Sequence, residues 1–370
     1  MIELATLKRH VNAIARTALA PVPLDFWRNA FPKDLIALCY HVVSDDDLAH
    51  LQLYPYKNTA QFEADLLFAR SRAVTYAQVA ARRLNGTPLP RNSMLITFDD
   101  GLAQCYDVAR PVLLKHGIDA VFFVTTDYVD DREMFFETAQ SLCATAIAAL
   151  EPERAAVIYR ELNAGSGAML LDATASILAE QRLGATRLHV ASDPTTRELL
   201  KVTFGLSEMD PRLPQICGLL GIDVAAYARR TPIFLSSERV AALVADGFTV
   251  GAHGRKHRSL VGLSNEELEH EIVSSCEAVR ALTGQVRVPF AFPYSGLAID
   301  RETLARIMRR NPIVELIFDS GCLRNDPQFI VNRIFADAPA AFGESHHQLS
   351  NVPDALCDAW ATPSAWFRSC

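Results

Sequence analysis

The sequence predicts an α/β fold, a (β/α) barrel interrupted by a helical insertion. Short apolar runs alternate with segments of helical spacing, and polar motifs fall where the apolar runs end. A β/α barrel gathers those strand ends around one mouth. The third observation is a long central stretch that is rich in Ala and Leu and shows helical spacing without strand patterning.

In Met1–Ala20, Ile2, Leu4, Leu7, Val11, Ile14 and Leu19 sit near helical spacing. Glu3, Lys8, Arg9, His10 and Arg16 interrupt them, so the segment lacks the continuous apolar core of a signal peptide. A packed terminal helix is expected; the alternative is weak docking on an anionic membrane face. Leu35–Cys39 reads as the first strand and is followed by Tyr40-His41. Met94-Leu95-Ile96 is the second, running into Thr97-Phe98-Asp99-Asp100-Gly101. Leu102–Lys115 is a helix candidate closed by Gly117 and bent at Pro111, and the strand Ala120–Val124 completes a βαβ unit. Helical spacing then covers Thr138–Ala149, Glu153–Leu162 and Leu170–Leu183, with Pro194, Pro211, Pro214 and Pro232 punctuating the remainder of the insertion. This insertion would either shape a substrate cleft or cover a flank of the barrel. Arg239–Asp246 is a short helix ending at Gly247, before the strand Phe248–Val250. Ser264 and Glu267 form a capping-box signature. The helix they open carries Leu268, Ile272, Cys276, Val279 and Leu282 and stops at Gly284. Phe290-Ala291-Phe292 is a last apolar run, halted by Pro293-Tyr294-Ser295-Gly296. The chain thus divides into an N-terminal helical segment (1–34), a barrel (35–130 and 235–345), the insertion (131–234) and a tail (346–370).

Composition narrows the function classes. With 370 residues there is chain enough for a large core, and 50% hydrophobic with 21% charged residues is ordinary globular usage. A net charge of −7 argues against a nucleic-acid partner, which needs concentrated basic surface. The eight cysteines form no CxxC and no tight cluster, which argues against a thiolate metal site and for reduced thiols of a cytoplasmic protein. No apolar stretch approaches the ~18–20 residues of a membrane span.

Three pieces carry chemistry. Asp99 and Asp100 at a strand end resist joint ionisation unless a cation or proton lies between them, and Gly101 allows a turn that re-aims one of them. One carboxylate on a metal and the other free to move protons suits that geometry. In Gly251-Ala252-His253-Gly254-Arg255-Lys256-His257, a continued strand would put the histidines about 13 Å apart at ~3.3 Å per residue. A helical turn after Gly251 would bring their Cβ atoms to about 5–6 Å, near enough to share one ion. Imidazole with carboxylate fits zinc, iron, cobalt or nickel better than calcium. The plain alternative is two surface histidines in a loop made basic by Arg255, Lys256 and Arg258. The third piece is the Pro293–Gly296 turn.

In this order, TFDDG, HxxxH and FxxPYxG resemble the NodB-type polysaccharide deacetylases, metal-dependent carbohydrate N-deacetylases, in the branch with Tyr-His after the first strand. Asp119–Thr126 and Ser264–Gly284 extend the resemblance over roughly 35–130 and 235–335. It implies a distorted barrel with fewer than eight strands. It also implies a divalent metal, zinc first with Fe, Co, Ni or Mn as alternatives, held by Asp100, His253 and His257. Asp99 would be the general base, the Tyr294 N–H an oxyanion donor and His41 the general acid, with a structural or ligand role for His41 as alternatives. Two features depart from the family pattern. Ala291 stands where many members have an Arg that holds the catalytic Asp; Arg333 could substitute, and Arg287 is the weaker candidate. The late Leu-x-x-His element is not evident, and His346 and His347 fall in a polar loop. The substrate implied is an N-acetylated carbohydrate. Alternatives are another C–N hydrolysis, such as deformylation or cyclic-amide opening, and a sugar-binding module with a decayed site.

Overall fold

The computed structural model describes residues 34–337, apart from residue 134, stretches within 167–192, and residues 207–209 and 321–323. The expected helix at Met1–Ala20, the tail with His346 and His347, and much of Leu170–Leu183 lie outside the described residues. Two compact units are present, one built from Asp46–Pro55 and Asp131–Ile233, the other from the described residues outside those stretches.

The larger unit is a closed barrel of seven parallel strands in chain order. They are β1 (Leu35–Tyr40), β2 (Ser93–Phe98), β3 (Ala120–Val124), β4 (Thr249–Ala252), β5 (Val288–Ala291), β6 (Val314–Ser320) and β7 (Ile330–Phe335). β7 closes on β1 through Ala37↔Arg333, Leu38↔Ile334 and Cys39↔Phe335. Strand alternation sorts the side chains into two cores. Ile36, Leu38, Met94, Ile96, Phe122 and Val250 pack outward beneath the helices, while Ala37, Leu95, Val121, Phe123, Phe318 and Val331 fill the interior. Gly251 keeps that interior open, because a Cβ there would lie 2.4 Å from the Phe123 ring.

Helices cover the outside. α1 (Thr59–Ala69) and α2 (Tyr76–Asn85) both open with complete capping boxes, at Asn58/Gln61 and Thr75/Gln78. α2 lies by the strand N-termini, where the Tyr76 N–H donates to Asp119 just ahead of β3 (2.8 Å) and Arg82 pairs with Asp34 just ahead of β1 (2.8 Å). The segment after β2 differs from the bent helix expected of it. A π-helical turn at Cys105–Ala109 leads into α3 (Arg110–His116), with Pro111 in the first turn, where a missing N–H costs nothing. Gly117 ends α3 in the left-handed conformation.

The smaller unit is helical: α4 (Phe136–Ala148), α5 (Pro152–Ser166), α6 (Pro194–Gly205), α7 (Arg212–Leu220) and α8 (Val224–Ala228). Ile147, Ile158, Leu199, Phe204 and Ile216 form its core. Asp46–Pro55 joins it through Thr145, whose hydroxyl donates to the Ala49 carbonyl (3.0 Å). The chain then returns to the barrel through α9 (Ser237–Ala245), α10 (Asn265–Thr283) and α11 (Arg301–Arg310). No helix among the described residues is long and apolar enough to cross a membrane.

Candidate active site

Asp99 and Asp100 follow β2 at the C-terminal mouth, and their side chains are nearly inaccessible. Asp100 takes φ +68° and Gly101 φ +73°, so the chain curls left-handed and re-aims the second carboxylate. Gly101 leaves no room for a side chain, since a Cβ would sit 3.0 Å from Val124. The two carboxylates then meet different partners. Asp99 receives a two-pronged pair from Arg333, whose terminal nitrogens lie 2.5 and 2.7 Å from its oxygens. Asp100 Oδ1 lies 3.3 Å from His253 Nε2 and 3.1 Å from His257 Nε2.

The histidines come together by a route other than a helical turn. After β4 the chain forms an irregular loop with Gly254 at φ +71° and His257 at φ +53°, which brings the rings to 5.1 Å between centroids. Other residues pin this loop. The Thr126 and Asp127 N–H groups donate to the Gly254 and Arg255 carbonyls, and the Arg255 N–H donates to the buried Glu271 on α10 (2.9 Å). His253 is buried, and His257 has a side chain only 10% exposed, so neither is a solvated surface residue. His253 Nδ1 lies 3.0 Å from the Ala291 carbonyl, an acceptor only, so that nitrogen carries the proton and Nε2 presents its lone pair.

These donors suit a divalent cation. Tetrahedral ligands at ~2.0–2.1 Å from zinc stand about 3.3–3.4 Å apart, which the Asp100–imidazole separations already approach. One ligand atom from each of Asp100, His253 and His257 lies within 4.8 Å of the other two. A second cluster, Cys39, His41 and Asp99, brings its ligand atoms within the same 4.8 Å but suits a cation poorly. Both Asp99 oxygens already face Arg333, and burial holds the Cys39 thiol well above its ordinary pKa.

Arg333 is buried within the barrel, its guanidinium 5.2 Å from the Phe123 ring and 6.0 Å from that of Phe318. Burial alone would raise the Asp99 pKa; the Arg333 guanidinium opposes it, and the carboxyl is held below its usual range. Arg287 is exposed, whereas both members of this pair are buried. Ala291 is fully buried and contributes its carbonyl to His253.

His41 follows β1 at the same mouth, with a ring nitrogen within 4.8 Å of Asp99. Its partner, Asp337, was not anticipated. One Asp337 oxygen accepts the His41 backbone N–H (2.8 Å) and the other lies 2.7 Å from Nδ1. Burial lowers the imidazole pKa, but the Asp337 carboxylate more than reverses this and raises it to about 9. Asp337 stands two residues beyond the end of β7, a strand-end position like that of Asp99, but it is a lone carboxylate with no neighbouring charge to mark it. Tyr294 lies at φ +58°, half exposed, with its ring 4.9 Å from His257.

Residues 86–159 and 219–311 match the family model described as polysaccharide deacetylase. These stretches contain both aspartates, both histidines and Tyr294, while His41, Arg333 and Asp337 fall outside them. No curated protein matches the chain. Among solved structures, the chain is similar to the Streptococcus pyogenes deacetylase PplD in complex with acetate, at 14% identity over 83% of this chain and 94% of that one, TM-score 0.48. It is also similar to IcaB from Ammonifex degensii, at 17% identity over 88% and 97% of the two chains, TM-score 0.47. A third is a de-N-acetylase from Aggregatibacter actinomycetemcomitans, at 14% identity over 83% and 97%, TM-score 0.47.

Proposed function

From a chain that belongs to the NodB-type polysaccharide deacetylase family, we propose a metal-dependent hydrolase that removes the N-acetyl group from an amino-sugar-containing substrate. The observation that carries this reading is the split between the two adjacent carboxylates, Asp99 on a guanidinium and Asp100 on two imidazoles. Asp100, His253 and His257 would hold the cation, zinc being the best fit to one carboxylate and two imidazoles. When bound, such an ion polarises the acyl carbonyl and acidifies an attacking water.

The protein's own groups supply the rest. Asp99, kept ionised by Arg333, accepts the proton of the attacking water. The Tyr294 N–H donates to the oxyanion that forms at the acyl carbon. His41, kept protonated by Asp337, delivers a proton to the departing amine, which would otherwise leave as an unstable anion. The two charge pairs push neighbouring groups toward opposite protonation states, as a base and an acid on either side of one bond require.

A panel of N-acetylated sugars incubated with metal-loaded protein tests the reading. Release of acetate with the free amine is expected. Formate or a ring-opened acid as the product, with no acetate, would overturn it.

A further inference from the structure

The Pro293–Gly296 turn holds Tyr294 in left-handed backbone, at φ +58°, which a bulky residue adopts only when its surroundings impose it. Asp319 at the end of β6 supplies much of that imposition. It is fully buried. Its Oδ1 accepts the Gly296 N–H (2.9 Å), the Ser295 hydroxyl (3.1 Å) and the Ser320 N–H (2.9 Å). Its Oδ2 faces Arg324 and Arg301, the latter at 3.4 Å. The next residue completes the clamp, with the Ser320 hydroxyl donating to the Tyr294 carbonyl (2.9 Å). Arg301 also donates to the Gly296 carbonyl at 2.6 Å. The turn is pressed down so closely that a Cβ at Gly296 would lie 2.4 Å from the Phe292 ring.

A buried carboxylate needs partners for its lone pairs, and here two of the three partners on one oxygen are donors of the turn itself. We propose that Asp319 is a positioning residue: through Ser295, Gly296 and Ser320 it fixes Tyr294 in left-handed backbone and so aims the Tyr294 N–H at the oxyanion. The proposal rests on the deacetylase reading above. It assigns the β6 end a part in catalysis without contact with substrate. Misaiming one oxyanion donor costs up to the ~10²–10³-fold that its removal would.

The test compares Asp319→Ala, Asp319→Asn and Ser320→Ala in the full chain, with bound metal measured for each. Asp319→Ala should retain metal and lower kcat about 10²-fold, with KM changed less than about threefold. Affinity for an N-phosphonyl amino sugar, a tetrahedral mimic of the acyl centre, should fall by the same factor as kcat/KM. Asp319→Asn keeps an oxygen for the Gly296 N–H and should recover at least about a tenth of wild-type kcat. If Asp319→Ala does not fold, the other two carry the test, with Ser320→Ala expected to lose about five- to tenfold in kcat. A merely structural Asp319 would lower Tm while kcat per metal-loaded molecule and mimic affinity stayed at wild type, and that result overturns the proposal. Metal-loaded wild type that releases no acetate would instead sink the deacetylase reading, and the positioning role with it.

Discussion

Replacing Asp337 with Asn removes the charge that sets the His41 proton while leaving an oxygen to accept the His41 backbone N–H. Burial lowers the His41 pKa and the carboxylate raises it from 6.5 to about 9. That rise corresponds to about 3.4 kcal/mol between the two protonation states, at ~1.36 kcal/mol per pH unit. Smaller contributions come from Asp100 and Asp99, which a bound cation would weaken, so Asp337 is the group to remove. Without it, burial opposes protonation and the imidazole should fall from about 9 toward its ordinary 6.5. At about pH 7.5 the protonated fraction should then drop from nearly all toward roughly a tenth, and kcat/KM should fall with it by up to about tenfold. Acid restores it, because Asp99 is held below the usual carboxylate range and stays ionised at about pH 6. The assay is acetate release from about pH 5.5 to 10, with metal content measured in parallel. The alkaline limb should move down from about 9 in Asp337→Asn, and activated acetate esters, whose leaving groups need no proton, should be spared. Stability gives a second readout. A folded pKa above the unfolded one stabilises the protein below about 6.5, and the contribution fades as pH rises through about 9. The variant's Tm deficit should therefore be larger at about pH 6 than at about pH 9.5. An unmoved alkaline limb would refute the acid assignment, and a loss of bound metal would make His41 a ligand.

The carboxylate split predicts three further outcomes. Asp100→Ala, His253→Ala or His257→Ala should each lose bound metal and activity together; full metal content with wild-type turnover removes that residue from the ligand set. Asp99→Asn should keep the fold and most of the metal while turnover drops by roughly 10²–10⁴, and metal loss equal to that of Asp100→Asn would undo the division of labour. Arg333→Ala takes the cation from a carboxylate whose burial already favours protonation, so the acidic limb of the pH–rate profile should move upward. An unchanged limb would leave Arg333 with packing alone, between Phe123 and Phe318.

Much of the mouth was legible because apolar runs ending in turn residues mark strand ends, and that rule placed Asp99, Asp100, His253 and Tyr294 together. How His257 reaches His253 was not legible. The separation is the same in a helical turn or a loop, and what selects the loop is left-handed backbone at Gly254 and His257 and its clamping by Glu271, Thr126 and Asp127. Nor does local sequence show that Asp46–Pro55 groups with the helices beyond β3, since that depends on the Thr145 contact some ninety-six positions away. Asp337 and Asp319 were passed over for a different reason. Each is a single carboxylate after an apolar run, with no neighbouring charge to mark it as costly, so pattern alone cannot tell it from a turn residue. Only the folded barrel shows that one faces an imidazole and the other the N–H and hydroxyl groups of the Pro293–Gly296 turn. The sequence thus displays the groups proposed to hold a cation, because adjacent like charges and paired histidines are conspicuous. The groups that tune proton affinity and aim the backbone are ordinary in type, and their role comes from the strand ends that closure brings together. At β7, Arg333 inside the barrel pairs with Asp99 and Asp337 just beyond the strand pairs with His41. A register slip of one residue in this strand would turn Arg333 out of the barrel interior and leave Asp99 buried without its cation.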